Sequence, residues 1–365
     1  MTDDARQSAP VDPTRRLAPV VRIAPAKLNL TLSVVARRND GYHSLHSVFA
    51  TLGLADRLSL ALAGGDQDTL HVSGFDPGET ADNLVLRAIA LTRAAVGGGW
   101  PGGSQPHAAR PHGSQPHGSQ PHGSQPHGLA PAPALAVRLD KRIPVAAGLG
   151  GGSSDAAAAI DGALEAWGAD LDPHARLAVA AAVGSDVPFF LFGGLALVEG
   201  RGEMVAPLDG LHGTPGVLLV TPAVTVSTRD VFAAFDAIRT HGDGAVRLTS
   251  VHLAEELRAK LSTADLVARA GAMTVANDLL PATALVVPSL VPFRRSLSRL
   301  LARPVGLSGS GPTLWALYAS GAEAAEAATA VRTALEEGRI TAPGSAGPFV
   351  GATHIQTGQQ HGSQP

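Results

Sequence analysis

The sequence predicts an α/β chain, α+β in its arrangement, that folds into two domains. Its 365 residues suffice for two hydrophobic cores, and a content of 45% hydrophobic and 16% charged residues is typical of a globular protein. Strand-like and helix-like segments alternate and end on a strand, which indicates a split βαβ sandwich. We expect an N-terminal domain at 18–202, a C-terminal domain at 203–356, and disordered tails at 1–17 and 357–365.

Composition excludes several classes of function. A net charge of −3 argues against nucleic acid or an acidic membrane surface as the main partner. The chain has no cysteine, so disulfides and thiolate chemistry are excluded. No apolar run is long enough to span a membrane, and the polar first residues lack the apolar core of a secretory signal. We therefore expect a cytoplasmic enzyme.

The first strand is predicted from Val20–Ile23 and from the alternation of apolar and polar residues over 26–34. Period-two alternation is typical of a half-buried strand, and it places Lys27, Asn29 and Thr31 on one face. That face is either a solvated sheet surface or the wall of a cleft.

A tight turn follows the first strand, because Asn39, Asp40 and Gly41 carry the Asp-Gly signal of a hairpin. Tyr42 and His43 come directly after it. An aromatic ring beside a histidine at a turn suits stacking on a planar ligand. A surface pair without a role is the alternative.

A histidine-rich stretch at 97–133 interrupts this pattern after a helix predicted over 84–96, which the Asp-Asn pair at 82–83 caps. The pentad Gly-Ser-Gln-Pro-His occurs at 103–107 and three times in tandem at 113–127. This composition cannot form a core and predicts a loop insertion. Histidine tracts can bind transition metals, but nothing here fixes ligand geometry. We assign the stretch no metal site and no catalytic role.

The glycine-rich segment from Gly148 to Gly152 is the strongest functional signal. Four glycines in five positions free the backbone to bring consecutive N–H groups to one point. Ser153, Ser154 and Asp155 follow and are predicted to cap an alanine-rich helix over 156–167. Unpaired N–H groups and the helix dipole both favour an anion there, so the segment predicts a phosphate-binding loop.

Spacing excludes two familiar phosphate loops. A Walker A loop needs lysine directly after its last glycine, whereas Ser153 follows Gly152. A dinucleotide fingerprint needs glycine at the sixth position from Gly148, and that position is also Ser153. A flexible linker is the remaining alternative, although linkers rarely lead into a capped helix.

A lone carboxylate, Asp186, stands before the apolar run 187–192. It either caps a turn before Pro188 or acts as a general base whose pKa the apolar surroundings raise. Lys27 is the candidate cation that would offset that rise.

The second half of the chain continues the alternation and contains a second glycine/serine turn. The predicted elements are a strand at 216–220, a helix from Ser227–Thr228 that contains Phe232, a helix at 286–301, a turn at 306–312, a strand at 313–318, a helix at 323–337 and a strand at 351–355.

Three segments in this order, 24–30, 144–159 and 306–311, resemble the GHMP kinases, which include galactokinase, homoserine kinase and mevalonate kinase. The resemblance covers nearly the whole chain apart from the N-terminal tail and the histidine-rich stretch. It implies an N-terminal domain of the ribosomal-protein-S5 domain 2 type and a ferredoxin-like C-terminal domain. It also implies that ATP and a small-molecule substrate meet in the cleft between them.

Within the family, the segments Asn39–His43 and Gly184–Phe189 resemble the branch that phosphorylates the 2-hydroxyl of a cytidine-diphosphate-linked methylerythritol in the non-mevalonate route to isoprenoid precursors. The resemblance implies that Asp186 accepts the hydroxyl proton and that Lys27 keeps Asp186 ionised and orients the hydroxyl. Mg²⁺ would bridge the ATP phosphates.

The resemblance also implies binding roles. Residues expected at ATP are Pro144, Ala146, Ala147, Gly148, Leu149, Gly150, Gly151, Gly152, Ser153 and Ser154, with Asp82, Asn83 and Lys141 near the nucleotide. Tyr42 and Phe232 would sandwich the cytosine, His43 and Asn29 would hydrogen-bond the substrate, and Thr228 would contact it.

Two features depart from the family pattern. Asp155 stands where some relatives carry asparagine, and it would either help to hold Mg²⁺ or cap the helix; capping is the prediction. The histidine-rich stretch has no family counterpart. The alternatives to the predicted activity are a homoserine- or mevalonate-type GHMP kinase and a histidine-rich metal-binding or scaffold protein with an inactive kinase core. A monomer and a homodimer both remain open.

Overall fold

The computed structural model describes residues 18–76, 78, 83–98, 132–238 and 244–357. Within these ranges the chain forms thirteen strands and eleven helices. The strands are β1 Val20–Asn29, β2 Ser33–Arg37, β3 His43–Leu62, β4 Thr69–Gly74, β5 Leu135–Lys141, β6 Leu195–Gly200, β7 Met204–Pro207, β8 Leu211–His212, β9 Gly216–Thr221, β10 Leu261–Ser262, β11 Gly306–Leu307, β12 Leu314–Tyr318 and β13 Phe349–His354. The helices are α1 Leu84–Val96, α2 Gly151–Trp167, α3 Pro173–Val183, α4 Val187–Phe192, α5 Thr228–Ile238, α6 Ala245–Arg258, α7 Thr263–Ala268, α8 Ala270–Met273, α9 Leu280–Val286, α10 Leu290–Leu301 and α11 Gly321–Glu336.

The first half of the chain is built on a seven-stranded sheet with β3 at its centre. This strand pairs antiparallel with β1, β2, β5 and β6, while β4 pairs parallel with β5 and β7 pairs antiparallel with β6. Helix α2 packs on β1 and β3, and α1 and α3 pack on α2. Because β7 belongs to this sheet, the sheet extends beyond residue 202, the predicted end of the N-terminal domain, to Pro207. The domain division itself stays a prediction.

The second half contains a four-stranded antiparallel sheet of order β11-β12-β9-β13. Apolar residues of α10 and α11 pack against its β9 and β12 strands. A further core cluster is shared between the two sheets, with Leu28 and Leu52 from the first and Leu219 and Leu317 from the second. The two halves of the chain therefore share one hydrophobic core, to which β1 contributes Leu28.

The first strand differs from the prediction because it is buried on both faces. It ends at Asn29, and every residue from Ala24 to Val34 is buried. Helix α2 and the shared core cover the two sides, so the polar side chains of Lys27, Asn29 and Thr31 lie inside the protein. The half-buried interpretation was therefore wrong, and a solvated sheet face is excluded.

The glycine-rich loop differs from the prediction in where its helix begins. Helix α2 starts at Gly151, and its N-cap is Gly150 with φ 68°, a left-handed conformation that suits glycine. Ser153, Ser154 and Asp155 therefore lie inside the helix, so the prediction that they cap it was wrong. The Asn83 cap of α1 is confirmed, because its side chain accepts a hydrogen bond from Val85 N.

Several predicted features fall outside the described residues. These are the tail at 1–17, most of the histidine-rich stretch, the C-terminal residues from 358 and Asp82. In the part of the chain that the structure describes, no helix is long and apolar enough to cross a membrane.

Candidate active site

A lysine and an aspartate that are distant in sequence meet at the edge of the glycine-rich loop. Lys27 Nζ lies 3.6 Å from Asp186 Oδ2, and it donates a hydrogen bond of 2.6 Å to Asn29 Oδ1. Asn29 Nδ2 in turn donates to Ser47 Oγ at 3.2 Å, which fixes the amide so that its oxygen faces the lysine. The sequence predicted Lys27 as the cation that acts on Asp186, and the structure brings the two side chains together.

Lys27 is held at its place by both backbone and side chain. The pairing of β1 with β3 shifts register between Pro25 and Lys27, and Lys27 N donates to Leu149 O at 2.8 Å, which ties the strand to the glycine loop. Its ammonium lies 4.7 Å from the centre of the Phe49 ring. Burial lowers the pKa of Lys27, and the neighbouring Asp186 carboxylate opposes that lowering.

Asp186 lies directly before the first residue of α4. Its side chain accepts no hydrogen bond from the first turn of that helix, so the alternative that it is a cap was wrong. The carboxylate is about one third exposed, at 30%, whereas the Lys27 side chain is only 6% exposed. Gly202 makes this approach possible, because a Cβ there would lie 2.6 Å from Ser185 O and 3.3 Å from Asp186 Oδ1.

The glycine loop lies against Lys27 and presents the start of α2 to the same region. Gly150 has no room for a side chain, since a Cβ would lie 2.8 Å from Lys27 Cγ. Gly148, with φ 77°, would place a Cβ 2.4 Å from Ser308 O. The first N–H groups of a helix have no partner within it, and the helix dipole adds positive potential. The loop therefore provides the N–H groups of Gly151, Gly152 and Ser153 for an anion.

The second glycine/serine turn packs against the glycine-rich loop. Ser308 Oγ donates to Gly148 O at 2.9 Å and accepts from Asn29 N at 3.5 Å. Asn277 Nδ2 donates to Leu307 O at 3.0 Å and to Gly309 O at 2.9 Å. The sequence indicated this turn, but Asn277 and Ser47 carried no local signal because they act through contacts made only in the fold.

The hairpin after β2 places Tyr42 and His43 near α5. His43 is buried, pairs with Asp236 Oδ1 at 2.7 Å and stacks on Phe232 with ring centroids 4.7 Å apart and planes at 21°. Tyr42 is 54% exposed, with the Arg201 guanidinium 5.2 Å above its ring. One face of Phe232 is thus covered by His43, and the cytosine sandwich between Tyr42 and Phe232 stays a prediction.

Thr228 lies at the N-terminal end of α5 and joins this end of the site to the second turn. Its Oγ1 lies 3.0 Å from Ser310 Oγ, within hydrogen-bond distance. The side chain is exposed. It is therefore accessible from solvent, and its contact with the substrate stays a prediction.

A second buried lysine, Lys141, lies behind the glycine loop. Its ammonium forms ion pairs with Asp56 and with Asp155 Oδ2, the latter at 2.7 Å. Asp56 is fully buried and also accepts from the backbone N–H groups of Arg142 and Ile143. Burial lowers the pKa of Lys141, but the two carboxylates raise it more, so the net change is upward. Asp155 is therefore an ion-pair partner rather than a helix cap.

The remaining residues expected at ATP lie along the loop and the start of α2. Ala146 and Gly152 are exposed, Gly148, Gly150, Gly151 and Ser153 are half-buried, and Pro144, Ala147, Leu149 and Ser154 are buried. Ser154 Oγ and Asp155 Oδ1 are buried without a hydrogen-bond partner among the described residues. Asn83 uses its side-chain oxygen to cap α1. Contacts of all these residues with a nucleotide stay predictions.

Comparison with known proteins identifies the family of this chain. The family model for the GHMP kinases N terminal domain matches residues 122–194, and the model for the GHMP kinases C terminal matches 254–337. A 4-diphosphocytidyl-2-C-methyl-D-erythritol kinase of Pelotomaculum thermopropionicum is 34% identical over 88% of this chain and 97% of its own length. An equally named protein of Methylorubrum extorquens is 37% identical over 85% of this chain and 94% of its own.

Solved structures show the same fold. A crystal structure of 4-(cytidine 5'-diphospho)-2C-methyl-D-erythritol kinase superposes with a TM-score of 0.60 at 28% identity, covering 92% of this chain and 99% of that one. Homoserine kinase from Cytophaga hutchinsonii superposes with a TM-score of 0.59 at 16% identity, covering 97% of this chain and 98% of that one. At that lower identity the likeness concerns the fold alone.

The two matched domain models and the relatives define a kinase, and the chain belongs to the GHMP kinase family. The predicted fold class is therefore confirmed. Kinases of this family use ATP as phosphate donor. The relatives that this chain matches over most of its length are named 4-diphosphocytidyl-2-C-methyl-D-erythritol kinases.

Proposed function

We propose that this chain transfers the γ-phosphoryl group of ATP to the 2-hydroxyl of 4-diphosphocytidyl-2-C-methyl-D-erythritol. The names of relatives that are 31–37% identical over most of the chain support this substrate. The observation that carries the chemistry is the Lys27–Asp186 pair, whose lysine is bonded to the glycine-rich loop through Leu149 O.

The proposed reaction needs one proton acceptor and an oriented hydroxyl. The substrate hydroxyl would lie against the partly exposed Asp186 carboxylate, which accepts its proton as the hydroxyl oxygen bonds to the γ-phosphorus and the bond to the β-phosphate oxygen breaks. Lys27 donates toward both Asp186 and the hydroxyl oxygen, and Asn29 keeps the ammonium in place.

The phosphates of ATP would bind along the glycine loop. The side-chain-free positions Gly148 and Gly150 bring the loop close to Ser308 and to Lys27, so that the start of α2 faces the reacting groups. N–H groups at a helix start bind phosphate oxygens without needing a cation. The predicted residues from Pro144 to Ser154 would therefore position the nucleotide, with Asn83 and Lys141 near it.

The residues at the start of α2 also fit a magnesium ion. Mg²⁺ in nucleotide sites takes few protein ligands besides phosphate oxygens and water. Ser154 Oγ, buried and without a partner among the described residues, is a hard oxygen donor of that kind, and Ser153 adds a half-buried hydroxyl. A bound Mg²⁺ would neutralise charge on the transferring phosphoryl group.

The cytidine end of the substrate would bind between β3 and α5. Tyr42 offers an exposed ring, and Phe232 is half-buried with one ring face on His43. Asp236 holds His43 at 2.7 Å, so the imidazole is fixed before the substrate arrives. Base stacking on such rings contributes about 1–3 kcal/mol per base in nucleic-acid sites. The cytoplasmic location and a monomeric or homodimeric state stay predictions.

The first experiment measures ATP consumption with Mg²⁺ and each of three alcohols: 4-diphosphocytidyl-2-C-methyl-D-erythritol, homoserine and mevalonate. We expect turnover of the cytidine compound alone. Asp186→Asn should lower kcat by about 10²–10⁴-fold, because it removes the proton acceptor. Asp161→Asn is the matched control, since Asp161 pairs with Arg176 and neither belongs to the residues predicted at the site, and it should retain wild-type turnover.

Three outcomes would contradict the proposal. Turnover of homoserine or mevalonate alone would keep the kinase family and refute the substrate. Unchanged kcat in Asp186→Asn would refute the general base. Lack of turnover with every alcohol would favour the scaffold alternative. Deletion of residues 103–128 then tests that alternative, which expects the deletion to abolish a metal-dependent interaction.

A further inference from the structure

A second cavity lies in the C-terminal half, apart from the cleft that holds Lys27 and Asp186. Its volume is about 270 Å³, and helices α9 and α10 form its walls. It shares no residue with the predicted ATP or substrate sites. The apolar part of the wall consists of Leu280, Pro281, Ala284, Leu290 and Val291.

Two arginines add positive charge to this cavity without a matching carboxylate. Arg294 and Arg295 both line it, and neither forms an ion pair with a carboxylate of the described residues. Arg294 is half-buried, and within the described part of the chain it donates to two carbonyl oxygens, Nε to Val305 O at 2.6 Å and Nη2 to Thr274 O at 3.0 Å. Burial lowers the pKa of Arg294, and a partly buried cation without an anion is unfavourable.

The size and lining of the cavity define what could bind in it. At about 30 Å³ per water, 270 Å³ corresponds to roughly nine waters, or a molecule of about ten heavy atoms. Apolar walls favour a hydrocarbon body, and guanidinium groups bind planar or tetrahedral oxyanions through two parallel hydrogen bonds. Arg295 is exposed, so it marks the end of the cavity that a headgroup can reach from solvent.

We propose that this cavity is a binding site for a small amphipathic anion, with an apolar chain among the leucines and valine and a single anionic headgroup at Arg294 and Arg295. Carboxylate and phosphate headgroups share this chemistry, and the experiment below separates them.

The residues that line the cavity also form hydrogen bonds to the turn at 306–311, which contacts the phosphate loop. Arg294 holds Val305 O, directly before the turn at 306–311. The hydroxyl of Thr283, also in the cavity wall, lies 3.1 Å from Ser310 O, near the end of the same turn, and 3.0 Å from Leu279 O, so that its one proton is shared between the two carbonyls. That turn carries Ser308, which bonds Gly148 O in the phosphate loop. A ligand against Arg294 and Thr283 would therefore contact residues that hold both ends of the turn.

The test is isothermal titration calorimetry of the full chain with octanoate, octyl phosphate and octanol. We expect at least one of the two anions to bind with a stoichiometry of one, and octanol, which lacks the charge, to bind at least about tenfold more weakly. The anion that binds more tightly identifies the headgroup. Arg295→Gln should weaken that anion about tenfold, because losing a charge-assisted hydrogen bond costs roughly one such factor.

Two further variants separate this site from general surface binding. Ala284→Phe fills the cavity and should abolish binding of the anion. Arg299→Gln removes an exposed arginine one turn further along α10, outside the cavity lining, and should bind as the wild type does. Binding of neither anion, equal binding of octanol, or an unchanged affinity in both Arg295→Gln and Ala284→Phe would overturn the proposal. None of these readouts depends on kinase activity or on the identity of its substrate.

Discussion

The two buried lysines, Lys27 and Lys141, show how one residue type serves two different purposes. Each is 5% exposed, and each lies within ion-pair distance of an aspartate near the glycine loop. Lys141 has two carboxylates, Asp56 and Asp155, both almost completely buried. Among the residues that the structure describes, Lys27 pairs with one carboxylate, Asp186, which is 30% exposed. The number of carboxylates and their access to solvent thus distinguish the two sites.

The difference appears in the direction of the two pKa changes. Burial lowers the pKa of both lysines, but two close carboxylates reverse the effect at Lys141, whereas Asp186 at 3.6 Å does not reverse it at Lys27. The Lys141 cluster is therefore a closed structural unit that binds β5 to β3 and α2. The Lys27 pair is an open unit whose carboxylate can meet a substrate. The following variants test that division.

The largest effect is expected from Lys141→Met on stability. The substitution would leave the fully buried Asp56 carboxylate without its cation, and removing one partner of a buried ion pair costs about 3–5 kcal/mol. Urea unfolding at pH 7 should show a fall of that size in the free energy of unfolding. Arg142→Met is the matched control, because its exposed guanidinium pairs with Asp140 at the surface and such pairs contribute about 0–1 kcal/mol. An unchanged stability in Lys141→Met would contradict the closed-unit interpretation.

The next effect is expected from Lys27→Met, which should change catalysis rather than stability. Removing a preorganised charge at the reacting groups typically lowers kcat about 10²–10³-fold. Asp186 keeps access to water after the substitution, so the free energy of unfolding should change by less than about 1 kcal/mol. The pair of assays, turnover and urea unfolding, is run on both lysine variants. A stability loss in Lys27→Met as large as that in Lys141→Met would break the comparison.

Local sequence patterns were sufficient for the fold class and for the parts of the site that lie within one segment. The glycine loop, Lys27 and the hairpin at Asn39–His43 each carry their signal in a few adjacent residues. The start of α2 was predicted wrongly because Ser153–Asp155 favour caps by composition, whereas Gly150 in a left-handed conformation begins the helix instead.

The contacts that complete the site could not be predicted, because they join residues far apart in sequence. Asn29 and Ser308 are separated by 279 positions, and Lys141 and Asp56 by 85. Asp56 lies within a strand, where a carboxylate is ordinarily interpreted as solvent-facing. Only the pairing of β3 with β5, which brings Arg57 opposite Asp140, reveals that it points at a lysine.

The smallest expected effect is a pH dependence of the free energy of unfolding, which arises from the Lys141 cluster alone. Burial raises the pKa of Asp155 from its ordinary value of 3.8 to about 8, although the Lys141 charge opposes the rise. The folded state then binds a proton that the unfolded state releases, so this group contributes stability that is complete below about pH 4 and is lost as the pH rises toward 8.

Asp155→Asn removes the titration while its amide oxygen can still accept from Lys141. Measured by urea unfolding between pH 5 and 8, the variant should gain stability relative to the wild type as the pH rises, by at least about 1 kcal/mol, the value of a pKa difference of one unit. Asp161→Asn, on the surface side of the same helix and paired with Arg176, should follow the wild-type curve. Parallel curves for Asp155→Asn and the wild type would mean that Asp155 is ionised throughout, and the closed unit would then carry a net negative charge inside the protein.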